Sequence, residues 1–90
     1  MYTMDNRTLK DLLYEQVARV GKALASPKRL EMLEMLAQGE KAVEAVATEV
    51  GIDVKLASAH LKTLKESRLV RSRREGKRMV YRLSGKDVAQ

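Results

Sequence analysis

The ninety-residue sequence has no cysteine, no phenylalanine and no tryptophan, and it contains one proline and one histidine. Without cysteine there can be no disulfide, no thiolate metal ligand and no thiol nucleophile. A single histidine is weak ground for a metal site, and no glycine-rich phosphate loop or cluster of ligating side chains is present. Neither a cofactor nor a catalytic centre is therefore expected, because an enzyme needs a poised nucleophile, an acid–base pair, a metal or a phosphate cradle. No apolar run approaches the roughly 20 residues that span a bilayer. The start, Met1-Tyr2-Thr3-Met4-Asp5, lacks a basic flank followed by an apolar stretch. A soluble, cytoplasmic protein with no membrane partner is expected.

With Phe and Trp missing, the 44% of hydrophobic residues must build the core from Leu, Val, Ile, Met and Ala. That palette suits packed helices better than a sheet. The chain is long enough for one small domain and too short for two cores, so residues 1–90 read as a single domain. The net charge is +6, and it is unevenly placed. Residues 1–52 carry seven Lys or Arg against eight Asp or Glu, whereas residues 53–90 carry eleven against four. Such an excess at one end is what a domain facing a polyanion needs.

Leu9, Leu12, Leu13, Gln16, Val17, Val20 and Leu24 recur at helical spacing and predict a helix from about Thr8 to Ala25 with one apolar stripe. A chain this short often covers such a stripe with a second copy, so a dimer contact is expected here. Ser26-Pro27 ends one helix and starts another, in which Leu30, Leu33 and Leu36 with Met32 or Met35 form the core face, and Gly39 stops it. Glu31, Glu34, Lys28 and Lys41 read as solvated helix faces. A third helix covers Val43 to Val50, with Val43, Val46, Ala47 and Val50 inward. Gly51 ends it, and Asp53 caps a fourth helix that runs to about Ser67. Two short helices joined by a tight glycine-containing turn make a helix-turn-helix.

On the fourth helix Val54, Ala57, Leu61 and Leu64 are spaced to form the buried face, which turns Lys55, Ser58, Ala59, Lys62 and Lys65 outward. A helix so divided can lie in a major groove, with Lys55, Ser58 and Ala59 nearest base edges and Lys62 and Lys65 at phosphates. Leu56 either meets a thymine methyl or closes the turn against Ile52. His60 either bonds a phosphate or satisfies a nearby carbonyl. The period then changes: Leu69 to Arg74 and Arg78 to Leu83 predict two strands, joined by Glu75-Gly76-Lys77. Met79, Tyr81 and Leu83 should share one face, and Val80 and Arg82 the other. Arg71, Arg73, Arg74, Lys77 and Arg78 crowd this hairpin, as a wing lying on a nucleic-acid backbone requires. From Gly85 a further helix begins, for which the chain supplies one turn, and the natural protein is expected to continue past Gln90.

Three segments, Leu24-Ala25-Ser26-Pro27-Lys28-Arg29-Leu30, Ala57-Ser58-Ala59-His60-Leu61-Lys62-Thr63-Leu64 and Arg74-Glu75-Gly76-Lys77-Arg78-Met79-Val80-Tyr81-Arg82-Leu83, resemble in order and spacing the ArsR family of winged-helix repressors. The resemblance covers about residues 9–85. It implies a homodimer joined through the first helix and a C-terminal helix, bound to a palindromic DNA operator and released by an inducer. It also implies that Val54, Lys55, Leu56, Ser58 and His60 lie against DNA. Val54 and Leu56 stand where the family frequently has Gln and Thr, so operator preference does not carry over. The family's best-known metal site places two cysteines on the third helix, and Ala42 and Glu44 occupy the matching positions here. A second site uses Asp and His at the start of the last helix, where Gly85 and Asp87 stand.

The expected fold is therefore mainly α with a small β-hairpin: a winged helix-turn-helix of four helices, two strands and the start of a further helix. The expected function is sequence-specific DNA binding by a dimeric repressor. The alternative is a protein-interaction or accessory module of a longer protein, for example one fused to a sulfurtransferase-like domain, because a fold alone does not determine function.

Overall fold

Asp5 opens the first helix, its Oδ1 accepting the Thr8 backbone N–H at 2.8 Å and so satisfying one of the amides that a helix start leaves bare. In the computed structural model, which describes residues 5–87, this helix is α1, Asn6–Leu24. Ser26 then caps α2, Pro27–Ala37, by accepting the Arg29 N–H, with Pro27 in the first turn where its missing N–H costs nothing. A two-residue strand β1, Lys41–Ala42, leads into α3, Val43–Val50. Helix α4, Val54–Glu66, follows, and β2, Val70–Glu75, and β3, Arg78–Leu83, form a hairpin. The chain ends its described course in a 3-10 turn, Ser84–Asp87. Of the helix expected from Gly85, the described residues show this 3-10 turn, and residues 88–90 lie outside them.

The core lies where α2, α3 and α4 meet the inner face of the sheet. Met32, Met35 and Leu36 of α2 pack with Val43, Val46, Ala47 and Val50 of α3, with Ala57, Leu61 and Leu64 of α4, and with Val70 and Tyr81. Leu30, expected on that face, is instead 49% exposed. At 3.6 residues per turn it lies about 200° round the helix from Met32, on the far side.

The sheet has three antiparallel strands in the order β1-β3-β2, one more than the hairpin expected. Lys41 and Ala42 pair with Tyr81 and Val80. Lys41 is thus a strand residue whose ammonium reaches Glu49 at 3.4 Å, not part of a solvated helix. A two-residue strand lies below the length at which alternation can be recognised, which is why the pattern hid it. Lys28 also departs from expectation, since its Nζ donates to the Val50 carbonyl at 3.0 Å and closes the end of α3.

Helix α1 contributes one buried residue, Ala23, among those described. Leu9, Leu12, Leu13, Tyr14, Val17 and Leu24 stay exposed, with Val17 69% open. A contiguous apolar surface of this kind on a small domain marks an interaction site.

Candidate nucleic-acid interface

Three residues of the turn aim α4. Gly51 turns the chain with φ 79°, a left-handed conformation that costs other residues dearly, and its N–H bonds the Ala47 carbonyl at 2.9 Å. Ile52 packs against the core and holds the turn down. Asp53 Oδ1 accepts the Leu56 N–H at 2.8 Å, so α4 starts at Val54. The angle between α3 and α4 is set over three residues, as the helix-turn-helix reading requires.

Ala57, Leu61 and Leu64 are fully buried and hold α4 to the domain. Val54, expected to complete that stripe, is 43% exposed. Side chains tilt toward the helix N-terminus, so the first residue points back past the end of α4 instead of onto α3. Leu56 is also exposed, which leaves it open for contact outside the domain, while Ile52 closes the turn without it. Lys55, Ala59, Lys62 and Lys65 are exposed and Ser58 is half-buried. Among the described residues no carboxylate pairs with Lys55, Lys62 or Lys65.

His60 is half-buried, with its Nδ1 3.0 Å from a terminal nitrogen of Arg29. Burial, and then the charge of Arg29, hold its pKa below the ordinary imidazole value.

In the hairpin Glu75 pairs with Arg78, so the turn is Gly76-Lys77 alone. Gly76 takes φ 64° and Lys77 stays at negative φ, the combination of a type II′ turn. Strand alternation sorts the cations. Arg71, Arg73 and Arg78 share the outer face with Val80 and Arg82, while Arg74 shares the other with Met79. Arg73 is already occupied: its guanidinium donates to both oxygens of Glu40 at 2.6 and 2.7 Å, and to Glu75 at 2.9 Å. The Arg73 hydrogen bonds hold Glu40 below the usual carboxylate range, and Glu40 and then Glu75 raise Arg73 above its own. Crowding in sequence gave no sign of this pairing, because Glu40 lies 33 residues away.

Lys65 from the end of α4 and Arg71 from the start of β2 line a single groove of about 430 Å³, together with Arg68, Val70, Ser72 and Ser84. Helix and hairpin cations thus converge there. Arg68 was not singled out by the sequence. It is the one described non-glycine residue at positive φ (65°), where the chain leaves α4 for β2. Arg29 and Lys28 were also missed as functional groups, although both stand in the Ser26-to-Leu30 segment that carries the family resemblance.

Residues 26–72 match the family model described as "Bacterial regulatory protein, arsR family". Over 81 residues the chain is 57% identical to the HTH-type transcriptional regulator Rv0324 of Mycobacterium tuberculosis, covering 90% of this chain and 36% of that protein. The chain therefore spans about a third of this relative's length. Among solved structures it is similar to the homodimeric winged helix-turn-helix DNA-binding domain of Mb0332 from Mycobacterium bovis. There the TM-score is 0.83 and the identity 54%, over 99% of this chain and 81% of that one. NolR from Sinorhizobium fredii superposes with a TM-score of 0.77 at 34% identity, over 99% and 87% of the two chains. With α3 and α4 joined by a three-residue turn, a β2–β3 wing beside them and the family match running from the start of α2 through α4 into β2, this chain belongs to the ArsR family of bacterial regulatory proteins.

Proposed function

We propose that the domain binds double-stranded DNA as a homodimer and regulates transcription in the cytoplasm as a repressor that an inducer releases. The observation that carries this reading is the groove shared by Lys65 and Arg71, because it brings cations from the last turn of α4 and from the start of β2 to one place, which supports a surface continuous from helix to wing. Two α4 helices enter successive major grooves about 34 Å apart, as in other two-fold helix-turn-helix proteins. Lys55, Ser58 and Ala59 face base edges, and Val54 and Leu56 are open to thymine methyls. Lys62 and Lys65 meet phosphates. Arg71, Arg74, Lys77 and Arg78 follow the flanking backbone, while Arg73 stays with Glu40 and Glu75. His60 stays with Arg29 and is not assigned a phosphate.

The exposed stripe of α1 supplies the dimer contact, supported by the homodimeric state of the similar M. bovis domain. Selection of duplexes from a randomised pool tests the proposal. A two-fold symmetric motif with half-sites about one helical turn apart is expected. Recovery of sequences with no common motif overturns it.

A further inference from the structure

Arg29 stands where three helices meet. Its Nε donates to the Ala23 carbonyl at 2.8 Å, one that the end of α1 leaves unpaired, and one terminal nitrogen donates at 3.0 Å to the Lys22 carbonyl, which also accepts the Ala25 N–H. Its own backbone N–H bonds Ser26 Oγ at the start of α2. The remaining terminal nitrogen lies 3.0 Å from Nδ1 of His60 on α4. One planar fork thus bolts the end of α1 and the start of α2 to the helix proposed to read DNA.

A guanidinium has donors and no acceptor, so this contact exists only if Nδ1 offers a lone pair. His60 must then be neutral, with its proton on Nε2. A second proton would sit on Nδ1, turn the bond into a donor facing a donor, and place two positive charges about 3 Å apart. From this geometry we infer that Arg29 is a positioning residue that couples the end of α1 to α4 through neutral His60, so that protonating His60 frees α4 and weakens DNA binding.

Among the described residues no carboxylate bonds the ring. Its neighbours one turn away on α4, Leu56, Ala57, Thr63 and Leu64, are not ionisable. From α2 come Arg29, bonded to the ring, and Lys28, committed to the Val50 carbonyl and near Glu31. From α3, Glu49 is held by Lys41, and Glu44 is exposed. On β2 Arg73 is held by Glu40 and Glu75, and Arg71 lines the groove at the far end of α4. From α1 come Lys22 and, further up the helix, Arg19 and Glu15, which with Glu66 of α4 line the pocket beside Thr63. Among all of these, Arg29 is the charge that lowers the ring's pKa, after burial. The sign follows: the unfolded ring takes a proton before the folded one does, so the folded arrangement is fully favoured above about pH 6.5 and loses ground as pH falls below it.

The DNA part of this inference rests on the proposed function, so the test has two arms. In the first, the ring nitrogens of His60 are observed by ¹⁵N NMR in the whole 90-residue chain. The Nε2–H form should dominate, and Arg29→Met should raise the pKa of the ring. Both tautomers equally populated, or a titration unchanged in Arg29→Met, overturns the coupling whether or not DNA binds. In the second, affinity for the duplex selected at about pH 7.5 is measured again at about pH 5.5. The unmutated chain should lose about tenfold, and Arg29→Met about tenfold already at the higher pH, as expected when a charged hydrogen bond is removed. His60→Asn, whose Oδ1 accepts from nearly the place of Nδ1 but cannot take a proton, should keep at low pH whatever affinity it has at high pH. If His60→Asn shows the same loss as the unmutated chain, or Arg29→Met binds normally, the inference fails. If the unmutated chain binds no duplex, the DNA reading fails, and the ring spectrum still decides the coupling.

Discussion

Arg73 clasps Glu40 through two parallel hydrogen bonds of 2.6 and 2.7 Å, tying the wing to the segment that leads into β1. Bidentate pairs of this geometry are the strong form of the interaction. With Glu75 also bound, two carboxylates surround one cation and remove Arg73 from the wing's positive field. Glu40→Gln should therefore tighten DNA binding, by about two- to fivefold, by releasing Arg73 toward the backbone. The same pair stabilises the fold only while Glu40 is ionised. Its lowered pKa makes that contribution present above the ordinary carboxylate range and lost as pH falls through it. Denaturation midpoints followed from about pH 6 to about pH 3 should fall further for the unmutated chain than for Glu40→Gln. Weaker binding by Glu40→Gln would show that Arg73 is better placed with its partner than without it.

Lys55 and Lys62 share an outward stripe but lie at different depths along α4, and their effects should differ in kind. Lys62→Ala should weaken binding to every duplex alike and flatten the salt dependence by about 0.9 for each phosphate that is no longer neutralised. Lys55→Ala should also change which sequences are preferred, read by competition among selected duplexes. Equal losses of affinity with unchanged preference would place Lys55 at the backbone instead.

The turn that aims α4 offers two stability tests. Removing the Asp53 cap with Asp53→Ala should cost about 1 kcal/mol and lower the melting temperature by about 4–8 °C, whereas Asp53→Asn should restore most of it. At Gly51 a new Cβ would meet nothing within 4 Å, so Gly51→Ala is penalised by backbone conformation alone, about 1 kcal/mol. Thermal melts that leave both variants unchanged would mean that the turn is held by Ile52 packing, not by its backbone.

Leu13 and Val17 lie one turn apart on the open face of α1. Charging that face with Leu13→Glu and Val17→Glu should yield a folded monomer by sedimentation, because neither side chain is needed by the monomer's core. DNA affinity should fall sharply with loss of the paired half-site. A double variant that remains dimeric would place the interface elsewhere.

Much of this architecture was legible in the sequence because its signals are local. Asp53 three residues before a bare amide, Gly51 after an amphipathic octet and Gly76 between alternating runs each act within a few residues, and the structure shows all three devices in place. What stayed hidden depends on partners distant in the chain. Glu40 with Arg73, Arg29 with His60 and Lys28 with the Val50 carbonyl are 33, 31 and 22 residues apart, and no periodicity reports such pairs. Val54 and Leu30 mark a second limit. Their spacing fits the apolar stripes, but one stands at a helix tip and the other on the far side of α2, where no neighbouring element covers them. At the interface, the outward stripe of α4 could be read directly, whereas the division of the wing's cations between two faces required the strand register.

The most direct test of the central claim, that α4 and the wing present one cationic surface to DNA, is the slope of log affinity against log salt for the selected duplex. A dimer engaging Lys62, Lys65 and Lys77 from each subunit neutralises six phosphates or more, so a slope of about −5 or steeper is predicted, with lysine-to-alanine changes on α4 and on the wing each flattening it. A slope near zero, or one that responds to α4 and not to Lys77, would contradict the account.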